Sequence, residues 1–174
     1  TVVSAPARSR IGASKKSSIA SKNAFYLNKV KAKDLKRVRT GVSEFDRVIG
    51  NGFVKGQVIL LAGEPGIGKS TLLTQISQFM SKINKDVVYV GGEESPEQIK
   101  LRADRLKYFP DNLLVLAEND SDVIAATVEN LVSAAAEGSV GLIIVDSIQS
   151  LSSESLTGIA GSVGQVRYGA QELA

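Results

Sequence analysis

The 174 residues contain no cysteine and no histidine. That excludes a disulfide framework and any metal site built on thiolate or imidazole ligands. A catalytic base in this chain has to be a carboxylate, a lysine or a water held by the site. Tryptophan is also lacking, proline occurs four times, and aromatic residues make up 5%. No apolar run approaches the ~20 residues needed to span a bilayer. The first residues lack the continuous apolar stretch of a secretory signal. These absences lead us to expect a cytoplasmic protein with no membrane partner. The rest is ordinary globular composition, at 43% hydrophobic and 22% charged.

The formal net charge of +3 hides an asymmetry. Residues 1–39 carry eleven Lys and Arg against Asp34 alone, whereas 40–174 carry ten against seventeen acidic residues. A basic arm on an acidic core suggests contact with a polyanion, or simply a solvated tail. Residues 1–23 hold too little apolar surface to offset their ordering entropy. The expected organisation is a basic, largely disordered arm or linker over 1–39, with a short docking segment from about 24, and a folded unit over 40–174. The chain starts at Thr1 rather than Met, as expected of a fragment or processed chain.

Residues 63–70 read Gly63-Glu64-Pro65-Gly66-Ile67-Gly68-Lys69-Ser70, a complete G-x-x-x-x-G-K-[ST] phosphate-binding loop. It follows the apolar run 58–62 and precedes a helix-like segment starting at Lys69, the order the mechanism requires. The glycines let successive backbone N–H groups face a phosphate unobstructed, and the helix adds its positive dipole end. Lys69 supplies a mobile charge for the β- and γ-phosphates. The Ser70 hydroxyl is suited to ligate Mg²⁺, and Thr71 continues the helix start. This pattern predicts binding of a nucleoside triphosphate.

Downstream the pattern alternates. Strands are predicted over 57–63, 87–91, 113–117 and 140–146, and helices over 43–49, 69–83, 95–106, 120–136 and from about Val163. Short apolar strands alternating with helices imply a doubly wound α/β fold with a mainly parallel sheet. Leu142-Ile143-Ile144-Val145-Asp146 is an apolar strand ending in an aspartate, at the end of the sheet where ligands bind. Downstream of a phosphate loop, Asp146 is a candidate to hold Mg²⁺ through a water. Glu93 and Glu94 also follow a strand tip. One of them is a candidate to orient or deprotonate a water, Glu93 being the nearer to the tip. The alternative is that both decorate the start of the next helix. Gln149 is either a γ-phosphate sensor or a solvated turn residue. The Gly- and Ser-rich stretch 152–164 reads as a mobile loop by composition, with Arg167 just beyond it.

Together these segments resemble a known family. The opening Thr40-Gly41-Val42-Ser43-Glu44-Phe45-Asp46 is similar to that of RecA-like P-loop ATPase cores. The phosphate loop, Gly91-Gly92-Glu93-Glu94-Ser95, Gln98 to Ala103, Asp146-Ser147-Ile148-Gln149 and Gly161 to Arg167 resemble the bacterial RadA/Sms branch. The likeness runs over about 40–174. It implies a DNA-dependent ATPase of recombination and DNA repair, using ATP and Mg²⁺. In that reading a hexameric ring, a homo-oligomer, loads on single-stranded DNA, drives branch migration and works beside a recombinase of the RecA type. The loop after Gln149 would face DNA. The family's four-cysteine zinc element has no counterpart in these residues. Its Lys-Asn-Arg-Phe-Gly segment and Lon-like domain are not among them either, so the expected core is truncated at its C-terminal end. Two other readings stay open: a KaiC-like signalling ATPase acting through protein partners, and a nucleotide-binding module without turnover.

Overall fold

The computed structural model describes residues 26–30, 36–108, 110–136 and 139–174. The chain divides into two units, Thr1–Leu35 and Lys36–Ala174. Of the first, the described part is a single 3-10 turn, Leu27–Lys29, with Lys29 Nζ 5.6 Å from the centre of the Tyr26 ring. The disorder expected over 1–23 lies outside the described residues. The second unit starts before Thr40. A two-residue strand β1 (Arg37–Val38) pairs antiparallel with β2 (Phe53–Val54) around helix α1 (Ser43–Val48). Residues 36–39, placed in the 1–39 arm from the sequence, thus belong to this unit. Arg37 is used structurally, its Nη1 donating to the carbonyl of Gly52 at 3.1 Å. Thr40 N donates to Asp46 Oδ1 at 2.8 Å, which ties the start of the unit to α1.

The main body alternates helix and strand: α2 (Lys69–Lys82), β3 (Asp86–Gly91), α3 (Pro96–Arg105), β4 (Leu113–Leu116), α4 (Ser121–Ala134), β5 (Val140–Asp146) and α5 (Val163–Glu172). The sheet is parallel with order β4-β3-β5. Strand β3 is central and buried on both faces, which explains its unbroken Val87-Val88-Tyr89-Val90 run. Val87 and Tyr89 pack with Met80 of α2, Ile99 of α3 and Ile144. Val88 and Val90 point the other way, to Ile124 of α4 and Leu151. Helices therefore cover both faces. Each such side chain, fully buried, contributes about 1.5–3 kcal/mol. Helix α3 starts as its sequence specifies. Ser95 and Gln98 form a reciprocal capping box, with Pro96 in the first turn.

One predicted strand does not form. Residues 57–63 carry no ladder, because β5 pairs only with β3. The alternation survives without the pairing: Val58 and Leu60 are exposed, at 66% and 83%, while Ile59 and Leu61 are half-buried. An apolar run of strand character becomes a strand only where a neighbour accepts its hydrogen bonds. Apolar pattern reports burial potential and not partner. The described helices include none long and apolar enough to cross a membrane.

Candidate functional site

The phosphate loop enters α2 through Gly68, the N-cap residue, with φ 103°, and Gly66 has φ 78°. Both conformations disfavour a side chain. A Cβ built on either would meet nothing within 4 Å, so the loop surface there is open. No side chain caps α2, which leaves its first amides available to an anion. Gly63, Glu64, Pro65, Gly66, Ile67 and Gly68 are exposed, and Lys69 and Ser70 are half-buried at the helix start. Lys69 Nζ lies back across the loop, donating to the carbonyls of Gly63 and Glu64, both at 2.9 Å. Thr71 is exposed on the first turn of α2.

The carboxyl ends of β3 and β5 lie side by side, with Gly91 opposite Asp146. Gly92 N donates to the Asp146 carbonyl at 3.2 Å. The backbone at Gly92 packs closely on the turn after β5: a Cβ would stand 2.0 Å from the rotatable Ser150 Oγ and 3.1 Å from Ser150 Cβ. That close approach delivers Glu93 to Ser147, whose hydroxyl donates to Glu93 Oε1 at 2.6 Å. Glu93 is thus exposed yet fixed beside the Asp146 backbone. Glu94 goes elsewhere. Arg102 Nη1 lies 2.7 Å from its Oε1 and 2.5 Å from its Oε2, an ion pair in which the arginine is 14% exposed. The two adjacent glutamates therefore have separate partners.

Asp146 is half-buried, and its Oδ2 accepts from the Tyr89 hydroxyl at 2.6 Å. Burial, reinforced by the hydrogen bond to Asp146, pushes the Tyr89 phenol far above its usual range. It stays a neutral donor at any working pH. Arg102 Nη2 donates to that same hydroxyl at 3.0 Å. Its Nε donates to Thr74 Oγ1 at 3.0 Å, and Thr74 donates to the Ser70 carbonyl at 2.8 Å. Sequence reasoning missed Tyr89, Arg102 and Thr74. A signal for Arg102 exists: with the buried Ile99 and Ala103 it occupies one face of α3.

Gln149 lies in a 3-10 turn, Ile148–Ser150, with its side chain exposed. The Gly- and Ser-rich stretch is tied down, contrary to its composition. Gln165 is 2% exposed. Its amide donates to the carbonyls of Ser153, Leu156 and Gly158, and its oxygen accepts from Ser153 N. Asp122 accepts from Ser153, Ser155 and Tyr168, and the hydroxyl of Ser153 above all holds its carboxyl below the usual range. Gln165 belongs to α5, whose packing buries its amide against this stretch. A cavity of about 620 Å³ beside Ser81, Asp86 and Asn112 lies at the opposite ends of the strands and involves none of these residues.

The donor set fits Mg²⁺ held with a triphosphate. Among the described residues no cluster of three or more acidic side chains could cage a metal alone. Mg²⁺ is typically held by one or two protein ligands plus phosphate oxygens and waters, and Ser70 and Asp146 are of that type.

A phosphate loop opening a helix on a doubly wound parallel sheet defines a RecA-like P-loop NTPase. The family model described as "AAA domain" matches residues 27–166. A DNA repair protein RadA from Bacillus subtilis (strain 168) is 44% identical over 137 residues, 79% of this chain and 28% of that protein. One from Rickettsia bellii (strain RML369-C) is 43% identical over 157 residues, 89% and 34% respectively. The chain thus spans about a third or less of these relatives. A KaiC-like protein from Pyrococcus horikoshii OT3 superposes with a TM-score of 0.60 at 23% identity, over 80% of this chain and 62% of that one, a likeness of fold. The chain belongs to the RadA family, built on the RecA-like ATPase core.

Proposed function

We propose that this chain is the nucleotide-hydrolysing core of a DNA-dependent ATPase of repair and recombination. The carrying observation is the separation of the two glutamates beside Asp146, Glu93 on Ser147 and Glu94 on Arg102. In this reading the amides of 63–70 and the α2 dipole bind the triphosphate, and Lys69 turns from the Gly63 and Glu64 carbonyls to the β- and γ-phosphates. Ser70 and Asp146 hold Mg²⁺, which supplies neutralisation of phosphate charge. Glu93 orients the attacking water and accepts its proton, and Ser147 keeps the carboxylate aimed. Gln149, in the turn after Asp146, reports the γ-phosphate to the 152–164 segment. The 1–39 arm and that segment contact single-stranded DNA. The ring, movement along the strand, branch migration and a recombinase partner belong to the whole protein. The names of the RadA relatives support the repair role.

The test is steady-state ATP hydrolysis by the full-length protein, with and without single-stranded DNA, beside Lys69→Ala. DNA-stimulated turnover that vanishes in the variant is the expected result. Lys69-dependent turnover indifferent to DNA overturns the DNA assignment and leaves an ATPase acting through other partners.

A further inference from the structure

Three groups meet at one guanidinium. Arg102 sends Nε to Thr74 on α2, Nη1 to Glu94, and Nη2 to the Tyr89 hydroxyl on β3. Each link has a forced direction. Arginine cannot accept, and an ionised carboxylate cannot donate. The Tyr89 hydroxyl therefore accepts from Arg102 and spends its only proton on Asp146. Likewise Thr74 accepts from Arg102 and gives its proton to the Ser70 carbonyl. A continuous chain of hydrogen bonds thus runs from the first turn of the phosphate-loop helix to the carboxylate at the tip of β5. Tyr89 and Thr74 are each 1% exposed, so water does not compete for these bonds.

We propose that Arg102 is a positioning residue that orients the Asp146 carboxylate through Tyr89 and couples it to the Ser70 end of α2, while withholding Glu94 from the attacking water. This rests on the nucleotide-hydrolysing reading above and deepens it. With Oδ2 accepting from Tyr89, Asp146 would be held in one orientation, its other oxygen left for a hydrated Mg²⁺. Such outer contacts fix the geometry of a ligand without touching the metal. Lysine cannot replace the arginine, because a single ammonium lacks the planar fork that reaches Thr74, Glu94 and Tyr89 in three directions.

The experiment is a Mg²⁺ titration of ATP turnover in the full-length protein, paired with Mg²⁺-free nucleotide binding. Tyr89→Phe keeps the ring in the core and keeps the Arg102–Glu94 pair. It should raise the Mg²⁺ concentration for half-maximal turnover about tenfold, leaving Mg²⁺-free binding unchanged. Arg102→Lys should shift the midpoint the same way, and the double variant should be no worse than Arg102→Lys alone. A general loss of stability would lower the amount of active protein without moving that midpoint. An unmoved midpoint in Tyr89→Phe, or effects that multiply in the double variant, overturns the inference while the hydrolytic reading stands. Absence of turnover in the unaltered protein overturns that reading and this inference with it.

Discussion

Two of the glycine-containing loops in this chain are built on opposite terms. Residues 63–68 are exposed throughout, adopt positive φ at Gly66 and Gly68, and lead into a helix with no side-chain cap. Residues 153–158 are also mostly exposed and polar, yet the buried Gln165 makes four hydrogen bonds to their backbone and Asp122 takes two of their hydroxyls. Residues 63–68 hold three glycines and 153–158 one, but the deciding difference is where the backbone hydrogen bonds go. A loop suited to bind phosphate leaves most of its amides unspent, Ile67 N to the Glu64 carbonyl being the exception. A loop that must hold a shape closes its polar groups on a single buried amide.

Five changes would break or sharpen this contrast. The largest effect belongs to the open loop: Lys69→Ala should abolish measurable ATP turnover and weaken nucleotide binding, read by steady-state hydrolysis and equilibrium titration. Next comes Glu93→Gln, expected to slow turnover by ~10²–10⁴-fold at most while sparing binding. Glu94→Gln should cost less, and the reverse ranking would reassign the water to Glu94. In the closed loop, Gln165→Ala should cost about 2–4 kcal/mol of stability in chemical denaturation, since it strands the buried N–H and carbonyl of Ser153. Nucleotide binding without DNA should stay unaltered. Asp122→Asn is the mildest, seen as faster proteolytic cleavage within 153–162 rather than as unfolding.

Acid gives an independent handle on the same loop. The folded pKa of Asp122 is lowered by the Ser153 and Tyr168 hydroxyls. Its contribution is therefore full above the ordinary aspartate value of about 3.9 and is lost as pH falls through the depressed folded value. Loop protection measured by hydrogen exchange should hold at pH 5 and fade only in stronger acid. In Asp122→Asn that acid step should vanish.

Much of the fold was legible because its signals are local. The phosphate loop, the Ser95-Pro96-Gln98 helix start and the apolar strand ending at Asp146 are each specified within ten residues. The misreadings are all non-local. Whether 57–63 pairs depends on a neighbour, which its own pattern does not name. Arg102 reaches Thr74 across 28 positions, and Glu93 meets Ser147 across 54. The 152–164 stretch reads as mobile by composition until the buried Gln165 of α5 closes on its backbone. Of the candidate site, the candidate residues could be named from the sequence, with Glu93 preferred as the nearer to the strand tip; that Glu93 bonds Ser147 and Glu94 bonds Arg102 could not.

Strand β3 assigns its residues by parity: odd positions face α2 and α3, even positions face α4. Tyr89 reaches Arg102 and Asp146 only because it is odd. Loss or gain of one residue between Asp86 and Tyr89 would send the phenol to the α4 side, severing the link to Asp146 while leaving the motif letters of the phosphate loop and Asp146 intact. The spacing within this one strand is therefore as much a part of the site as any residue that touches nucleotide.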